Sequence, residues 1–283
     1  MQQFIKTIVR TPFVGYAILF IFRAKTAIGY FIGILSNLLK WLFRSNETTN
    51  FTYNLEQKNT HYLASLIADI ANIEFSVVMD YIKEIEEDME LRSHIANATE
   101  KSSLSFLADK DVRFGRRIGW YAFVRVLKPK TVIETGVDKG LGACVLTAAL
   151  MKNKQDGYEG RYYGTDINRE AGYLLSGDYA NYGEILYGDS IESLINYEGM
   201  IDLFVNDSDH SADYEAEEYK TIANKLSEHA IVLGDNSHVT DKLLEFSLET
   251  NRHFIFFQEK PHEHWYPGAG IGISFLRPRT SNG

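Results

Sequence analysis

Acidic side chains recur where successive apolar segments of this sequence end. Glu134 closes TVIE, Asp166 closes RYYGTD, and Asp189 follows GEILYG. Further along, Asp207 follows LFVN and Asp235 follows VLG. Carboxylates accept hydrogen bonds from ligand hydroxyl groups, bind hard cations and favour a nearby positive charge. The spacing therefore predicts a ligand site built from the ends of several strands.

A glycine-rich turn follows the first of these segments. Gly136, Gly140 and Gly142 lie between Glu134 and an apolar, helix-like stretch. Glycine lets backbone N–H groups approach a ligand closely, and a helix N-terminus attracts negative charge. The turn by itself is compatible with any nucleotide-like ligand. The class of ligand therefore has to be inferred from the acidic residues at the later strand ends.

Strand-like and helix-like segments alternate through the second half of the chain. Strands are predicted at 131–135, 161–166, 184–188, 201–206 and 230–235, and helices near 140–153, 168–175, 189–197, 212–227 and 238–249. The segments 252–260 and 269–276 have no helix between them and predict a terminal antiparallel hairpin. The pattern predicts an α/β fold with a doubly wound, mainly parallel seven-stranded sheet of Rossmann-like type. Ligands of such sheets bind at the carboxyl ends of the strands.

The remaining sequence predicts four regions. Residues 1–45 form an apolar, basic N-terminal segment, 46–60 a polar linker, 61–112 a helical preface and 113–283 the domain that contains the sheet. The preface has apolar residues at three- and four-residue intervals, which is typical of amphipathic helices.

The charge of the chain is unevenly distributed. The net charge is −9, but residues 1–50 carry six basic residues and one acidic residue, so the remainder is strongly acidic. An acidic body argues against a nucleic-acid partner. The apolar runs 12–22 and 26–43, separated by Arg23 and Lys25, predict a helical hairpin lying on an anionic membrane surface.

The alternative is a helical extension that covers a hydrophobic face of this subunit or of its neighbour in a homo-oligomer. We expect a cytoplasmic protein, held peripherally on the inner face of the membrane if the first interpretation holds.

At this point the residues resemble the class I S-adenosylmethionine-dependent methyltransferases. The likeness is closest to small-molecule and sugar O-methyltransferases with an acid–glycine first motif and an Asp-x-Asp-His sequence after the fourth strand. It covers roughly residues 113–277. It implies S-adenosylmethionine as cofactor and methyl transfer to a hydroxyl group of a sugar, a glycolipid or another small molecule. The sequence carries Asp138 where the first motif of the family has its middle glycine.

The resemblance implies a set of cofactor-binding residues. They are Glu134, Gly136, Asp138, Gly140, Asp166, Asp189, Ser190 and Asp207. By analogy, Glu134, Gly136 and Gly140 hold the methionine end, and Asp166 holds the ribose. Asp189 and Ser190 flank the adenine, although both are also good helix N-caps. Asp207 lies near the sulfonium.

Three residues form a possible cation site. Asp207, Asp235 and Asn236 would offer oxygen ligands to Mg²⁺ at adjacent strand ends. The pair Asp235 and Asn236 also resembles metal-binding positions of the cation-dependent O-methyltransferases. The alternative is that this pair caps the following helix.

The catalytic residues predicted from the sequence are His210, Asp207 and His238. Imidazole titrates near neutral pH, so His210 is the first candidate for the base that removes the acceptor proton, and His238 is the second. A structural role for His210 stays open. The loop residues His264, Trp265 and Tyr266 either contact the acceptor or pack the hairpin.

Two competing functions come from other classes. A nicotinamide-dependent oxidoreductase is disfavoured because Gly136, Gly140 and Gly142 do not have the GxGxxG spacing. A catalytically idle, membrane-associated binding scaffold would bind no S-adenosyl cofactor.

Overall fold

The computed structural model of the chain describes residues 12–49, 51–209 and 211–277. It divides into two compact units. The smaller unit combines the N-terminal helix with Glu263–Tyr266, and the larger unit contains the sheet. His210, predicted to act as a base, lies outside the described residues.

The sheet of the larger unit has seven strands in the described residues. They are β1 (Thr131–Thr135), β2 (Arg161–Asp166), β3 (Gly183–Tyr187), β4 (Ile201–Asn206), β5 (Leu226–Gly234), β6 (His253–Gln258) and β7 (Gly270–Phe275). Their order is β3-β2-β1-β4-β5-β7-β6, in which β1 to β5 are parallel and β7 is antiparallel to both its neighbours. The predicted mainly parallel seven-stranded sheet is confirmed. Its direction of winding reverses between β1 and β4, where ligands of open α/β sheets bind.

Helices precede, separate and flank the strands. The N-terminal helix is α1 (Pro12–Arg44), and the larger unit contains α2 (Gln57–Ala71), α3 (Phe75–Glu86), α4 (Met89–Lys101), α5 (Arg117–Leu127), α6 (Leu141–Gln155), α7 (Ser190–Asn196), α8 (Ala212–Ile222) and α9 (Lys242–Glu249). Short 3₁₀ helices cover Ser105–Leu107 and Gly177–Tyr182.

The largest side chains of one sheet face pack against α7, α8 and α9. Phe204 of β4 is fully buried there, with its ring 6.5 Å from that of Tyr219 on α8. On the other face, α6 packs on β1 and β2 and also on α5. Because strand residues alternate between faces, Glu134 lies on the α6 side and Thr135 on the α8 side.

The connection between β2 and β3 differs from the predicted α-helix at 168–175. It consists of turns followed by the 3₁₀ helix. Gly172 and Gly177 have φ of +74° and +58°, values that an α-helix does not contain. The helix predicted from 238 begins instead at Lys242, because residues 235–239 form a turn.

The segment predicted as a polar linker, 46–60, belongs to the larger unit. Tyr53 is buried and donates a hydrogen bond to Glu259 over 2.6 Å, and Asn54 accepts one from the backbone of His262 at 2.7 Å. Its aromatic and apolar side chains fix it to the loop that follows β6, despite its polar composition.

Residues Pro12–Arg44 form one continuous helix, and the hairpin predicted over 12–43 is therefore wrong. Arg23 and Lys25 lie within α1 because both are good helix formers, and no proline interrupts the helix. The Trp41 ring packs on Trp265, with 5.2 Å between centroids. By length and composition, the α1 helix is long and apolar enough to cross a membrane.

Phe204→Ala should lower the free energy of unfolding by about 3–5 kcal/mol, because it leaves a cavity between β4 and α8. The matched control is Ile195→Ala on the exposed face of α7, where 61% of the side chain is accessible; it should change the value by less than about 0.5 kcal/mol. Denaturant titration of both variants measures the difference. Equal losses would show that β4 does not form the core described.

Candidate active site

Backbone hydrogen bonds bring the predicted acids to one edge of the sheet. The Asp207 N–H donates to the Thr135 carbonyl at 2.9 Å, and the Asp235 N–H donates to the Asn206 carbonyl at 2.9 Å. These bonds join the carboxyl ends of β1, β4 and β5. The structure therefore places Glu134, Asp207 and Asp235 at neighbouring strand ends, as the sequence predicts.

Gly136 has to be glycine at this edge. Its φ is +81°, and a Cβ would overlap the carbonyl oxygen of Asp207. Gly140, with φ +95°, is the N-cap of α6, and its Cβ would lie 3.1 Å from the Gly172 backbone. Gly136 thus lets the turn lie close to the backbone at the end of β4. Gly140 then starts α6, and the first N–H groups of a helix have no intrahelical partners.

Asp138 departs from the family motif in side chain but keeps the backbone conformation of a glycine. Its φ is +46°, in the left-handed region that Asp tolerates better than most residues. Its N–H donates to Asp166 over 2.9 Å. The substitution is therefore compatible with the turn.

Asp166 anchors the turn from the end of β2. One carboxylate oxygen accepts from Asp138 N and the other from Asn168 N at 2.8 Å. Each oxygen has a second lone pair. The role of Asp166 in holding a ribose stays a prediction.

Glu134 lies beneath the turn. It accepts a hydrogen bond from the Tyr162 hydroxyl at 2.5 Å, and its carboxylate fills the space that a Cβ on Gly142 would need. Burial raises the pKa of Glu134 to about 7, although Tyr162 and the charge of Arg117 oppose the shift. Gly142, which the sequence marks as a turn glycine, is thus needed for close packing against this carboxylate.

Asp189 and Ser190 have different surroundings. Asp189 caps α7 by accepting from Glu192 N at 2.9 Å, and it also accepts from the Tyr214 hydroxyl at 3.1 Å. Ser190 is buried and bonds to Glu218 and Tyr214. The capping role of Asp189 is observed, and the adenine contact stays a prediction for both residues.

Glu218 of α8 is a functional candidate that the sequence interpretation missed. This fully buried carboxylate accepts hydrogen bonds from the end of β1, from β4 and the loop after it, and from the start of α7. The donors are Thr135 at 3.2 Å, Ser208 at 2.7 Å, Asn206 and Ser190. Burial raises the pKa of Glu218 to about 7, against the effect of these donors. One carboxylate therefore joins the ends of β1 and β4 to the start of α7.

The acidic character of α8 concealed this residue. Glu215, Glu217 and Glu218 look like a solvated face in the sequence, yet Glu215 and Glu218 are buried and Glu217 is not. Glu215 and Glu218 are three residues apart and share a helix face with the apolar Tyr219 and Ile222. This spacing is the sequence pattern that distinguishes them from the exposed Glu217.

The predicted Mg²⁺ site is not supported. Arg116 at the start of α5 binds both carboxylate oxygens of Asp235, and Arg117 lies 3.7 Å from Asp207. Among the described residues, no cluster of His, Cys, Asp and Glu is arranged to hold a metal. The alternative role of Asp235 and Asn236 as caps of the next helix is also wrong, since α9 begins at Lys242 after Asp241.

The neighbouring carboxyl groups of Asp207 and Asp235 have pKa values that shift in opposite directions. Burial raises the pKa of Asp207 well above its usual value, and the charge of Asp235 adds to this effect. Burial acts in the same direction on Asp235, but the Arg116 guanidinium outweighs it and lowers the pKa of Asp235. Of the two carboxyl groups, Asp207 therefore has the higher pKa.

His238 lies at the same edge, in the turn after β5. Its Nδ1 is 3.1 Å from the Asp235 carbonyl, so this nitrogen donates and Nε2 is left as the basic atom. The side chain is exposed. This geometry is compatible with a base, and the role stays a prediction.

Comparisons with known proteins agree with the fold. Residues 133–237 match the family model described as a methyltransferase domain. A putative O-methyltransferase from Klebsiella pneumoniae has 13% sequence identity and a TM-score of 0.50, over 72% of this chain and 97% of that one. No curated protein sequence matches the chain.

Two further solved structures are similar at lower scores. A methyltransferase from Podospora anserina bound to S-adenosylhomocysteine has 17% identity and a TM-score of 0.47, over 66% of this chain and 88% of that one. The O-methyltransferase TomG from Streptomyces achromogenes, in complex with S-adenosylmethionine, has 15% identity and a TM-score of 0.49, over 68% and 92%. Residues 133–237 thus match a methyltransferase domain, and the strand order agrees with the Rossmann-like methyltransferase fold that the sequence predicts.

Glu218→Gln should make the protein relatively more stable at alkaline pH. The folded-state pKa of Glu218, about 7, lies above the ordinary 4.5, so the folded protein binds this proton more tightly than the unfolded chain. The wild type should therefore lose on the order of 2–3 kcal/mol relative to Glu218→Gln between pH 5 and pH 8. Denaturant titrations at several pH values measure this difference.

The matched control is Glu217→Gln, the exposed neighbour on the same helix, which should show no such pH-dependent difference. A wild type whose stability relative to Glu218→Gln is independent of pH would contradict the assignment.

Proposed function

We propose that the chain is an S-adenosylmethionine-dependent O-methyltransferase that acts on a hydroxyl group of a sugar, a glycolipid or another small molecule. The observation that carries this proposal is the turn from β1 into α6. Its glycines are required by close backbone approach, and Asp166 anchors it from the adjacent strand. This turn lies within the matched methyltransferase domain.

The residues of this edge fit the cofactor. Gly136 and Gly140 would let the backbone and the α6 N-terminus approach its methionine end. Asp166 would bind the ribose hydroxyls through its remaining lone pairs, and Asp189 would flank the adenine. Asp207 at the end of β4 would face the positive sulfonium, which favours a carboxylate.

Catalysis then depends on orientation and on one proton. S-adenosylmethionine, when bound, supplies a methyl group activated on a sulfonium. The edge formed by β1, β4 and β5 would hold the acceptor hydroxyl in line with that methyl group, and orientation supplies much of the rate in such reactions. His238 Nε2, Asp207 and His210 are the groups proposed to take the acceptor proton.

Cofactor binding is tested by calorimetric titration of the full chain with S-adenosylhomocysteine and, separately, with NAD. We expect S-adenosylhomocysteine to bind and NAD not to bind. Asp166→Ala should weaken binding about 10- to 100-fold, since hydrogen bonds to a charged group contribute about 1.5–3 kcal/mol. The matched control is Asp178→Ala at an acid of the loop before β3.

The competing functions predict other results. Binding of NAD alone would indicate an oxidoreductase, and binding of neither compound would indicate a scaffold. If the cofactor binds, transfer of labelled methyl groups into a membrane lipid extract tests the acceptor class. Labelling of a glycolipid fraction supports the acceptor proposed, and labelling of protein alone contradicts it.

We further propose that α1 attaches the protein to an anionic membrane surface, on the cytoplasmic side. Weakly polar and basic residues recur every three or four positions along one side of the helix: Lys25, Gly29, Gly33, Ser36, Lys40 and Arg44. The adjoining side is apolar and exposed: Ile28, Phe31, Ile32, Leu35, Leu39 and Leu42. This division, with no acidic residue in α1, is typical of helices that lie in the membrane interface.

A membrane-spanning orientation is less favourable for α1. Its 33 residues would extend about 50 Å at 1.5 Å per residue, and a hydrocarbon core is about 30 Å thick. A span would also bring Arg23 or Lys25 into or close to the hydrocarbon. Trp41, Trp265 and Tyr266 form an aromatic cluster beside the C-terminal part of α1, and such rings favour the membrane interface.

Flotation of the full chain with vesicles tests this proposal. Binding should be strong to vesicles that contain phosphatidylglycerol and weak to pure phosphatidylcholine. The double variant Lys40→Gln, Arg44→Gln should bind about 10- to 30-fold more weakly, since each basic residue near the surface contributes about 1 kcal/mol. Lys83→Gln, an exposed lysine of α3, is the control. Resistance to alkaline carbonate would indicate a span, and a dimer that does not float would favour the homo-oligomer.

A further inference from the structure

The place where the sequence predicts a divalent cation contains a buried arginine. The Arg116 guanidinium donates two parallel hydrogen bonds to the two oxygens of Asp235. It also donates to Glu259 at 3.3 Å. Only 12% of the Arg116 side chain and 4% of the Asp235 side chain are exposed, so this pair is removed from solvent.

Arg117, the first residue of α5, adds a second positive charge beside the end of β4. It lies 3.7 Å from Asp207 and stacks over the Trp120 ring at 5.1 Å. Two consecutive residues of α5 therefore neutralise the two carboxylates that were predicted to bind a metal. The charges that a divalent cation would bring are already present in the protein.

The donor set also does not fit a hard cation. Mg²⁺ requires about six oxygen ligands in near-octahedral geometry. Both oxygens of Asp235 are engaged by Arg116. The Glu259 oxygen that Arg116 contacts also accepts from Tyr53 and from the Ala269 N–H. The flat fork of a guanidinium matches a carboxylate that binds through both oxygens.

We infer that Arg116 takes the place of a divalent cation at this edge of the sheet, and that the protein works without one. A guanidinium keeps its charge at all physiological pH values, so it holds Asp235 in place without depending on metal supply. Arg116 is in this sense a positioning residue. Its role in methyl transfer depends on the proposed function, whereas the exclusion of metal does not.

This inference has a consequence for substitution. Removing the guanidinium leaves the buried Asp235 carboxylate unpaired beside Asp207 and the buried amide of Asn236, whose polar atoms have no hydrogen-bond partner in the described part of the chain. Those groups are the three oxygen ligands that the sequence assigns to a cation. Arg116→Ala should therefore create the cation site that the wild type excludes.

The test is calorimetric titration of the full chain with Mn²⁺. It compares the wild type, the single variants Arg116→Ala and Asp235→Asn, and the double variant that combines both substitutions. Wild type should bind no Mn²⁺ below millimolar concentration. Arg116→Ala should bind it and gain about 2–4 °C in melting temperature at several times the dissociation constant. The double variant should lose this binding. Arg113→Ala, which removes a partly exposed arginine paired with Asp111, is the control and should behave as wild type.

The outcomes are separable from those of the cofactor titration, because Mn²⁺ binding needs no methyl transfer. Mn²⁺ binding by wild type that Asp235→Asn abolishes would overturn the inference, as would an Arg116→Ala variant that folds and binds no Mn²⁺. If Arg116→Ala is unfolded, folding on addition of Mn²⁺ supports the inference. If Mn²⁺ does not restore folding of Arg116→Ala, the wild-type titration decides. Mn²⁺ binding that Asp235→Asn abolishes overturns the inference, and no binding below millimolar concentration supports it.

Wild-type activity provides an independent readout once an acceptor is known. Methyl transfer should be unchanged after EDTA treatment and dialysis, and added Mg²⁺ should not raise it. Loss of activity in EDTA that Mg²⁺ restores would overturn the inference even if S-adenosylhomocysteine binds as proposed.

Discussion

The carboxyl edge of the sheet depends on buried carboxylates whose charge is balanced inside the protein. An unpaired buried charge is costly, and breaking such a pair destabilises a protein by about 3–5 kcal/mol. Here Arg116 binds Asp235, while Glu218 collects hydrogen bonds from Thr135, Asn206, Ser208 and Ser190. These two sets of contacts hold the ends of β1, β4 and β5 and the start of α7 at fixed positions. Contacts within the protein therefore fix the carboxyl edge of the sheet without a bound ligand.

The glycine turn works within the frame that these contacts set. Gly136 can approach the Asp207 backbone because it has no Cβ, and Gly142 leaves space for the Glu134 carboxylate. Asp138 shows that this turn requires a left-handed backbone conformation and does not require a glycine at every position. Its N–H is held by Asp166, so the residue that departs from the family motif is bonded to the acid proposed to bind the ribose.

The small unit suggests where the proposed reaction takes place. An amphipathic, basic α1 would concentrate the enzyme at an anionic surface even though the rest of the chain is acidic. The aromatic residues of the loop between β6 and β7 belong to the same unit as α1. Among the acceptors that we propose, a hydroxyl group on a membrane-bound glycolipid would agree with the proposed attachment of α1 to a membrane.

Periodicity and composition in the sequence determined the alternation of strands and helices, the terminal hairpin and the acids at successive strand ends. Such patterns depend on local spacing, and the parallel order of the sheet follows from them with few alternatives. The same reasoning missed the turns after Asp166, because the sequence does not show that Gly172 and Gly177 have positive φ. It also missed the continuity of α1, because Arg23 and Lys25 are compatible both with a helix and with a break between two helices. Residues 46–60 looked like a linker because their composition is polar, and the burial of Tyr53 could not be read from it.

Tertiary structure alone decided which charges meet. Arg116 and Asp235 are 119 residues apart, and nothing local distinguishes Arg116 from the partly exposed Arg113. Glu218 directly follows the exposed Glu217, and only the packing of α8 on the sheet assigns one to the interior and the other to solvent. The sequence by itself determined that a strand-end site exists. The three-dimensional packing decided that an arginine occupies the predicted cation position, because charge pairing in the interior depends on distance in space and not on distance along the chain.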